Sequence, residues 1–332
     1  MAFRLSRLLG SVPLLKLRRR GADESSLHGP RIAVIGNCQA RGVADALRIL
    51  APGSRVQLIP MASLGKQARS LNAFAADLGP FDHVFSQPFP AGFFPEGGSE
   101  ALQARLPRMR LFPSIVFTAF HPDAVYVGDL ASVARVRLVP SPLGTYHSAI
   151  TLFGFLQGLP AERIVDLFRE EVLAGLGYLN AWDIAATDLI ASSRAIGFDL
   201  SAELLRWSRS GLFMHNINHP RLAVLGDIAA RLLRETGVAA RTVPVEAYAP
   251  DGLLDDAIWP VYPPVATLYG VLGSTVFKRR QRRGMPPETL GLPAFVTESL
   301  AIYRAQPRAS LTCHRIEHWA ASPQIRNLFE RA

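Results

Sequence analysis

One short segment of the sequence combines a cysteine with neighbouring groups that could do nucleophilic chemistry. Residues 31–42, Arg-Ile-Ala-Val-Ile-Gly-Asn-Cys-Gln-Ala-Arg-Gly, predict a buried strand that ends at Gly36 and runs directly into a helix. The backbone N–H groups of Asn37, Cys38 and Gln39 would then lie in the first turn of the helix, where they lack partners within it. A thiol there is favoured as thiolate by the helix dipole, and the nearby N–H groups could stabilise an oxyanion.

The segment therefore predicts Cys38 as a reactive thiol, with the side-chain amides of Asn37 and Gln39 as donors that orient a carbonyl. The alternative is a small buried cysteine in a Gly-Asn turn with no chemistry, since free cysteine is among the most buried residue types. Ser86 and Gln87 lie at the end of another predicted strand and would add a hydroxyl and an amide to the same edge of a sheet.

A nucleophile or a sugar hydroxyl needs a base, and histidine is the usual one. His121 follows a predicted strand and should lie at the same sheet edge as Cys38, where Asp123 could orient its ring. His147, next to Tyr146, lies at the start of a predicted helix, and His219 lies in Asn-Ile-Asn-His-Pro. Each histidine, taken singly, could instead be a hydrogen-bonded structural residue.

Two pairs of histidines are spaced four residues apart, a spacing that can bind a metal on one face of a helix. The pairs are His215 with His219 and His314 with His318. Pro220 and the asparagines around the first pair make a regular helix improbable there, and neither pair has an acidic third ligand at a suitable spacing. We therefore predict no metal site.

A run of basic residues could bind phosphate groups, because arginine side chains bind phosphate oxygens in a bidentate manner. The run consists of Lys278, Arg279, Arg280, Arg282 and Arg283. Its alternative is a solvated surface loop.

Apolar strands alternate with helical segments in the first half of the chain, which predicts an α/β fold with a mainly parallel sheet. The predicted strands are 32–35, 56–59, 83–86 and 115–118, and the first is followed by an apolar pattern of helical spacing over 43–50.

Beyond about residue 145 the pattern predicts helices at 147–157, 161–174, 183–196, 201–209 and 221–236. Five prolines within 243–265 predict an extended excursion. The expected domain spans 31–332, with an α/β part over about 31–145 and a helix-rich part over about 146–332.

Residues 1–30 form a basic arm and linker in this interpretation. They carry six basic and two acidic residues, hence +4 of the net charge of +9. The apolar stretch 8–15 is short, is interrupted by Gly10 and Pro13, and lacks a cleavage site for export. With only two cysteines, the chain is expected to be cytoplasmic, with the arm contacting anionic membrane peripherally. Outside the arm and the basic run the charges balance, which argues against nucleic-acid binding.

Five short blocks of the sequence, in order, resemble the WcbI family of polysaccharide biosynthesis proteins. The blocks are Gly-Asn-Cys-Gln, Ser-Gln-Pro, Phe-His-Pro-Asp with Tyr126 following, Tyr-His-Ser and Asn-His-Pro, and the resemblance covers roughly residues 31–290. That family is associated with capsule O-acetylation and with binding of coenzyme A or acetyl-coenzyme A. The resemblance implies that the site is lined by Cys38, Gln39, His121, His147 and His219, and it leaves open which of them does chemistry. The first block is also similar to the opening of the SGNH hydrolases, with Cys38 in place of their serine, although their closing Asp-x-x-His motif is not evident.

Together, the residues and the resemblance favour an acetyltransferase that moves an acetyl group from acetyl-coenzyme A to a sugar hydroxyl of a surface polysaccharide, with a polysaccharide or sugar nucleotide as acceptor. Cys38 would lie at the oxyanion-stabilising helix N-terminus, and His121 or His219 would be the base. An esterase or thioesterase would use the same groups with water as acceptor. The non-enzymatic alternative is a coenzyme A-binding component of a polysaccharide assembly complex.

Overall fold

The computed structural model of the chain describes residues 29–64, 70–129, 137–281 and 284–331. The basic arm, apart from its last two residues, therefore lies outside the described residues, as do Arg282 and Arg283.

A four-stranded parallel sheet in the N-terminal half confirms the predicted α/β class. In spatial order its strands are β2 (Arg55–Pro60), β1 (Arg31–Gly36), β3 (His83–Ser86) and β4 (Met109–Leu111). The predicted strands at 32–35, 56–59 and 83–86 are confirmed, with Ile32 opposite both Val56 and His83.

The predicted strand at 115–118 is wrong, because the fourth strand of the sheet lies several residues earlier. Residues 112–118 form no regular structure, although they are largely buried. The N–H of Phe117 donates instead to the carbonyl of Ile217, in the second half of the chain. An apolar run indicates burial, but it does not by itself indicate pairing with a neighbouring strand.

Alternate residues of β1 face two different cores, as expected for a strand that is covered on both sides. Ala33 and Ile35 pack with residues of two helices on one side, α2 (Leu71–Asp77) and α3 (Ser99–Arg105). Ile32 and Val34 belong to the core on the other side, where α1 (Cys38–Leu50) lies.

Glycines allow close approaches at both ends of the strand-turn-helix unit. A Cβ at Gly36 would lie 2.3 Å from Gln87 Oε1, so the turn between β1 and α1 can approach that side chain only if residue 36 is glycine. A Cβ at Gly42 would lie 2.4 Å from Leu225 Cδ1, within the tight contact between α1 and a helix of the second half. Glycine thus fixes how closely α1 packs on its neighbours.

The helices up to residue 235 match the expected ranges with small differences, whereas those beyond it were not predicted from the sequence. The second half is helix-rich, as predicted, with ten helices in the described ranges. They are α4 (Ala149–Leu156), α5 (Ala161–Asp166), α6 (Glu170–Gly175), α7 (Ala181–Arg194), α8 (Ser201–Arg209), α9 (Leu222–Glu235), α10 (Pro263–Tyr269), α11 (Leu292–Arg304), α12 (His314–Ala321) and α13 (Pro323–Arg331). The single helix predicted over 161–174 is two helices, and the proline-rich excursion over 243–265 contains two short 3₁₀ turns before α10 begins. Within the described ranges, no helix has the length and apolarity needed to cross a membrane.

Four short antiparallel pairs of strands lie between residues 124 and 291 of the described chain. They are β5 (Ala124–Tyr126) with β8 (Tyr146–Ser148), β6 (Gly128–Asp129) with β7 (Arg137–Leu138), β9 (Met214–Asn216) with β10 (His219–Pro220), and β11 (Val276–Lys278) with β12 (Thr289–Gly291). In the first pair, Tyr126 lies directly opposite Tyr146. The third pair is a hairpin that carries Asn218 and His219, so the predicted absence of a regular helix there is confirmed.

A buried carboxylate, that of Asp123, holds the pair β5 and β8 against the helices. Asp123 Oδ1 accepts the N–H of Ile150 at 2.9 Å and the hydroxyl of Tyr178 at 3.1 Å, while Oδ2 accepts the hydroxyl of Tyr262 at 2.9 Å. Burial raises the pKa of Asp123, and these hydrogen bonds, with one from Ser148, oppose the shift. Asp123 therefore acts as an internal anchor and does not orient the ring of His121.

We expect Asp123→Ala to lower the free energy of unfolding by about 3 kcal/mol, because it leaves two tyrosine hydroxyls and an N–H buried without their acceptor. Denaturant titration would measure the change, with the exposed Asp77→Ala as the control. Equal unfolding free energies for the two variants would contradict the anchoring role.

Candidate active site

Cys38 is the first residue of α1 and is exposed at the carboxyl edge of the sheet, as predicted from the sequence. The expected lowering of its pKa is wrong. Desolvation by the surrounding protein, together with the negative charge of Asp256, raises the pKa of the thiol, and these effects outweigh the backbone N–H groups of Cys38 and Gln39, which lower it. At neutral pH the thiol form is therefore favoured.

The N–H groups of the turn are mostly occupied within the protein. Asn37 N–H donates to Gln87 Oε1 at 2.7 Å, and Gln39 N–H donates to Asn37 Oδ1 at 2.9 Å, which caps the helix. Cys38 N–H makes no hydrogen bond to another residue in the described part of the chain. Of the three backbone N–H groups expected to stabilise an oxyanion, that of Cys38 is thus the one that remains available.

Gln39 is buried, and its side-chain amide is fully used in joining three segments. Its Nε2 donates to the carbonyls of Ile115 at 2.9 Å and Asn218 at 2.8 Å, while its Oε1 accepts the N–H of Ile115 at 2.9 Å. Gln87 Nε2 lies 3.5 Å from the same oxygen. In this arrangement Gln39 positions the site and has no free donor for a ligand carbonyl.

The hairpin between β9 and β10 brings a second group of polar side chains to the Cys38 region. Asn218 Oδ1 accepts the hydroxyl of Tyr146 at 2.7 Å, and Asn218 Nδ2 donates to the hydroxyl oxygen of Tyr126 at 2.8 Å. The Tyr146 hydroxyl also lies 3.3 Å from His219 Nε2. Since the Asn218 carbonyl is bonded to Gln39, this network is attached directly to the residue that follows Cys38.

Burial and, to a smaller extent, the half-buried carboxylate of Asp256 shift the pKa values of this region. The charge of Asp256 raises the pKa of Cys38, and also contributes to the raised pKa of Tyr126 and Tyr146. Burial lowers the pKa of His219, and the charge of Asp256 partly opposes that shift. His219 is therefore neutral at pH 7 and able to accept a proton.

His121 and His147 do not share this environment. His121 is buried, its Nδ1 lies 3.4 Å from the carbonyl of Pro260, and burial lowers its pKa to about 4. His147 is also buried, with Nδ1 2.9 Å from the Tyr303 hydroxyl and Nε2 3.0 Å from the Val139 carbonyl. Both rings are buried, as is that of His219, but unlike His219 neither makes a hydrogen bond to the side chains around Asn218.

Ser86 and the basic run were also predicted to bind a ligand, but the polar groups of Ser86 and Lys278 are hydrogen-bonded within the protein. The hydroxyl of Ser86 is buried and donates to the carbonyl of Gln87 at 2.8 Å. Lys278 Nζ donates to the carbonyl of Leu254 at 2.6 Å and to that of Asp256 at 3.2 Å.

Arg279 of the basic run is likewise bonded to other residues of the protein. Arg279 Nη2 donates to both carboxylate oxygens of Glu298, at 2.7 and 2.6 Å, and its Nε lies 3.3 Å from Glu288. Of the three described members of the run, Arg280 is the exposed one.

The loop 251–256, which carries Asp256, also lines a cavity of about 1280 Å³. Its wall includes His215, Asp251 and Leu254, and the Asp251 carboxylate accepts from His215 Nε2 at 2.8 Å and from the N–H of Leu222 at 2.9 Å. Four arginines also line it, namely Arg206, Arg221, Arg234 and Arg241. Arg206 is paired with Asp227, whereas the other three are exposed and have no acidic partner among the residues described.

Sequence reasoning missed Asn218 and Asp256 as site residues and missed the arginines of the cavity. Asn218 lies in the Asn-Ile-Asn-His-Pro block that drew attention to His219, so a signal was present. Asp256 lies in the proline-rich excursion, and the arginines are scattered singly, so neither forms a local pattern. No group of three metal-binding side chains comes together in the described ranges.

Stability should decrease as the pH falls from about 6.5 to 4, because the unfolded chain binds protons at His121 and His147 that the folded chain excludes. Burial lowers the pKa of His147 to about 4, which corresponds to about 3 kcal/mol for this residue over that interval. In His147→Phe the unfolding free energy should vary less with pH, whereas the exposed His314→Gln should keep the wild-type dependence. The same pH dependence in all three proteins, measured by denaturant titration, would contradict this assignment.

Comparisons with known proteins agree with the resemblance predicted from the sequence. The family model described as polysaccharide biosynthesis enzyme WcbI matches residues 31–241. A solved structure described as WcbI, in native form without a disulfide bond between coenzyme A and a cysteine of that protein, is 17% identical with a TM-score of 0.62 and covers 91% of this chain and 98% of its own. No curated protein matches the chain. Because the family model spans more than half of its residues, this protein belongs to the WcbI family of polysaccharide biosynthesis enzymes.

Proposed function

We propose that this protein is an acetyltransferase that moves an acetyl group from acetyl-coenzyme A to a sugar hydroxyl of a capsular or other surface polysaccharide. The observation that carries the proposal is the arrangement around the loop 251–256. Asp251 and Leu254 of this loop line an arginine-containing cavity, and Asp256 at the end of the loop is close enough to the exposed Cys38 to raise its pKa. Coenzyme A has phosphate groups at one end and a thiol at the end of a long flexible arm, so it could occupy both places.

The size and charge of the cavity support this assignment. Its volume of about 1280 Å³ exceeds the roughly 300–1,000 Å³ of an ordinary small-molecule site and is large enough for coenzyme A. Three carboxylates also line the cavity, and those of Asp227 and Asp251 are bonded to Arg206 and His215. This leaves three arginines, Arg221, Arg234 and Arg241, against the single carboxylate of Glu246, and guanidinium binds phosphate oxygens well. We therefore propose that the phosphates bind here, with Arg280 of the basic run as an outer contact.

The related structure supports placing the thioester beside Cys38. The native form of that protein is described as being without a disulfide bond between coenzyme A and a cysteine, which implies that such a bond can form there. A disulfide requires two sulfur atoms about 2 Å apart. Cys38 is the exposed one of the two cysteines here, whereas Cys313 is buried. By this comparison the coenzyme A sulfur would approach Cys38.

Direct transfer fits the raised pKa of Cys38 better than a covalent acetyl-cysteine intermediate, because the thiolate is the nucleophilic form. In direct transfer the sugar oxygen bonds to the acetyl carbon and gives its proton to a base. The tetrahedral oxyanion then collapses, the carbon–sulfur bond breaks, and the departing thiolate of coenzyme A takes the proton from the base. Cys38 contacts the thioester in this route and contributes its N–H to the oxyanion.

We assign the base to His219, because it alone among the proposed histidines belongs to the network bonded to Gln39. Its ring is almost fully buried behind Tyr146. The proton would therefore pass through the Tyr146 hydroxyl, which must turn from Asn218 Oδ1 at 2.7 Å to His219 Nε2 at 3.3 Å. Strong burial raises the pKa of Tyr146, so this hydroxyl relays a proton without becoming ionised itself.

A thioesterase is the second candidate, and the exposure of Cys38 favours it, since water can reach the same place. The two functions differ in their acceptor. Acetyl-coenzyme A should be consumed slowly without a sugar and faster when an acceptor polysaccharide or sugar nucleotide is added.

The proposed reaction is tested by following coenzyme A release and acetyl ester formation with wild type, Cys38→Ala and Cys38→Ser. We expect ester formation that depends on the acceptor, no acetyl group on the wild-type protein by mass spectrometry, and reduced but measurable activity in both variants. If the protein binds acetyl-coenzyme A but neither transfers nor hydrolyses the acetyl group, a non-catalytic coenzyme A-binding component would be favoured. An acetyl-Cys38 adduct that passes its acetyl group to the acceptor would instead establish the covalent route.

We expect Arg234→Gln and Arg241→Gln to weaken coenzyme A binding by about tenfold each, since a hydrogen bond to a charged group contributes about 1.5–3 kcal/mol. Binding of the wild type should weaken with added salt, and the variants should show a smaller salt effect. Calorimetric titration would measure both quantities, with Arg169→Gln, outside the cavity lining, as the control. If Arg280→Gln weakens coenzyme A binding and the two cavity variants do not, the phosphates bind at the basic run and not in the cavity.

A further inference from the structure

The proposed reaction passes through an oxyanion, and the turn after β1 offers it fewer donors than its sequence predicts. The N–H groups of Asn37 and Gln39 are bonded within the protein, and the amide groups of Gln39 are saturated. This leaves the Cys38 N–H and the exposed side-chain amide of Asn37, which makes a long contact of 3.4 Å to Ser114 Oγ. Oxyanion sites generally use two or more preorganised donors, so a further donor is expected near Cys38.

Tyr126 has the geometry of such a donor. Its hydroxyl oxygen accepts a hydrogen bond from Asn218 Nδ2 at 2.8 Å, which fixes the position of the oxygen. Its ring lies against that of Tyr146, with the centroids 5.2 Å apart, which restricts its rotation. The side chain is half-buried, so it is both held in place and accessible.

The hydroxyl proton of Tyr126 is not used within the described part of the chain. The oxygen accepts from Asn218, and no hydrogen bond is formed in which this hydroxyl is the donor. Burial raises the pKa of both Tyr126 and Tyr146, and a hydrogen bond between their side chains opposes that shift at Tyr126 and adds to it at Tyr146. The Tyr126 oxygen is therefore the acceptor in this contact as well, while the Tyr146 hydroxyl also donates to Asn218 Oδ1. A tyrosine hydroxyl has one proton to donate, and here it is free for a ligand.

The position of Tyr126 relative to Cys38 follows from the same bonds. Asn218 holds the Tyr126 hydroxyl with its side chain and the Gln39 side chain with its carbonyl, and Gln39 is adjacent to Cys38. The charge of a Cys38 thiolate also contributes to raising the pKa of Tyr126, as expected for neighbouring groups. Burial is the largest cause of that raised pKa, which keeps the hydroxyl protonated at neutral pH.

We propose that Tyr126 is a catalytic residue whose hydroxyl donates to the acyl carbonyl oxygen and to the oxyanion formed from it, together with the Cys38 N–H. Asn218 is its positioning residue, because the amide N–H that it donates directs the tyrosine proton away from Asn218 and towards the ligand. This inference rests on the proposed function, since it takes a thioester of coenzyme A as the ligand.

The activity test compares Tyr126→Phe, which removes the hydroxyl and keeps the ring, with Tyr248→Phe at an exposed position. Removing one oxyanion donor typically costs 10²–10³ in kcat, so we expect Tyr126→Phe to lower kcat by about 100-fold with little change in KM. Tyr248→Phe should keep wild-type kcat. An unchanged kcat in Tyr126→Phe, with the wild type active, would overturn the proposal.

The spectroscopic test measures the carbonyl stretching frequency of bound acetyl-coenzyme A labelled with carbon-13 at the carbonyl. A hydrogen bond weakens the carbonyl bond, so the band should lie at lower frequency in the wild type than in Tyr126→Phe. Asn218→Asp should also raise the frequency although the tyrosine remains, because a carboxylate accepts the tyrosine proton that the amide N–H directs to the ligand.

The possible results separate the inference from the proposed function. If acetyl-coenzyme A binds to both the wild type and Tyr126→Phe and its carbonyl band lies at the same frequency in both, the proposed role of Tyr126 is wrong. The proposal of acetyl transfer is not affected by that result. If the wild type does not bind acetyl-coenzyme A at all, the proposed function fails, and the inference fails with it. Should Asn218→Asp fail to fold, the comparison of Tyr126→Phe with wild type still decides.

Discussion

The buried amide of Gln39 is the interaction on which the site depends. It is the second residue of α1, yet its side chain bonds to Ile115 and to Asn218, which are 76 and 179 residues away in the sequence. An unpaired buried amide would cost about 1–3 kcal/mol for each group, so all three bonds must form together when the two halves of the chain pack. Cys38 is thereby fixed relative to the hairpin that carries Asn218 and His219.

The chemical character of Cys38 results from a competition between opposing electrostatic effects. A helix N-terminus is equivalent to about half a positive charge, which stabilises a thiolate. At this site the full negative charge of Asp256 and the loss of hydration act in the opposite direction and prevail. The loss of hydration also keeps His219 neutral, against the opposing charge of Asp256, and it keeps the tyrosine hydroxyls protonated. The site is therefore suited to hydrogen bonding and proton relay more than to thiolate attack.

The strand-turn-helix unit and the helix-rich second half could be predicted because their signals are local. Apolar periodicity and the Gly36 turn depend on a few consecutive residues, and they correctly located β1, β2, β3 and α1. The failed strand at 115–118 shows the limit of that reasoning, since pairing depends on a partner that an apolar run does not specify. The Ile217 carbonyl, which the segment bonds to instead, lies about 100 residues away.

The candidate site was only partly predictable for the same reason. The sequence identified Cys38 and His219, but whether a polar group is free or occupied depends on distant residues. Lys278 and Arg279 form a conspicuous run, yet carbonyls and carboxylates from other segments occupy them. Arg234 and Arg241 belong to no run, and the fold alone brings them to one cavity.

The crystal structure of the protein with coenzyme A would test this account most directly. We predict the coenzyme A sulfur beside Cys38 and within reach of the Tyr126 hydroxyl, with the phosphates on the arginines of the cavity. A coenzyme A molecule bound with its sulfur away from Cys38, or with its phosphates on the loop 278–283, would contradict the proposed site.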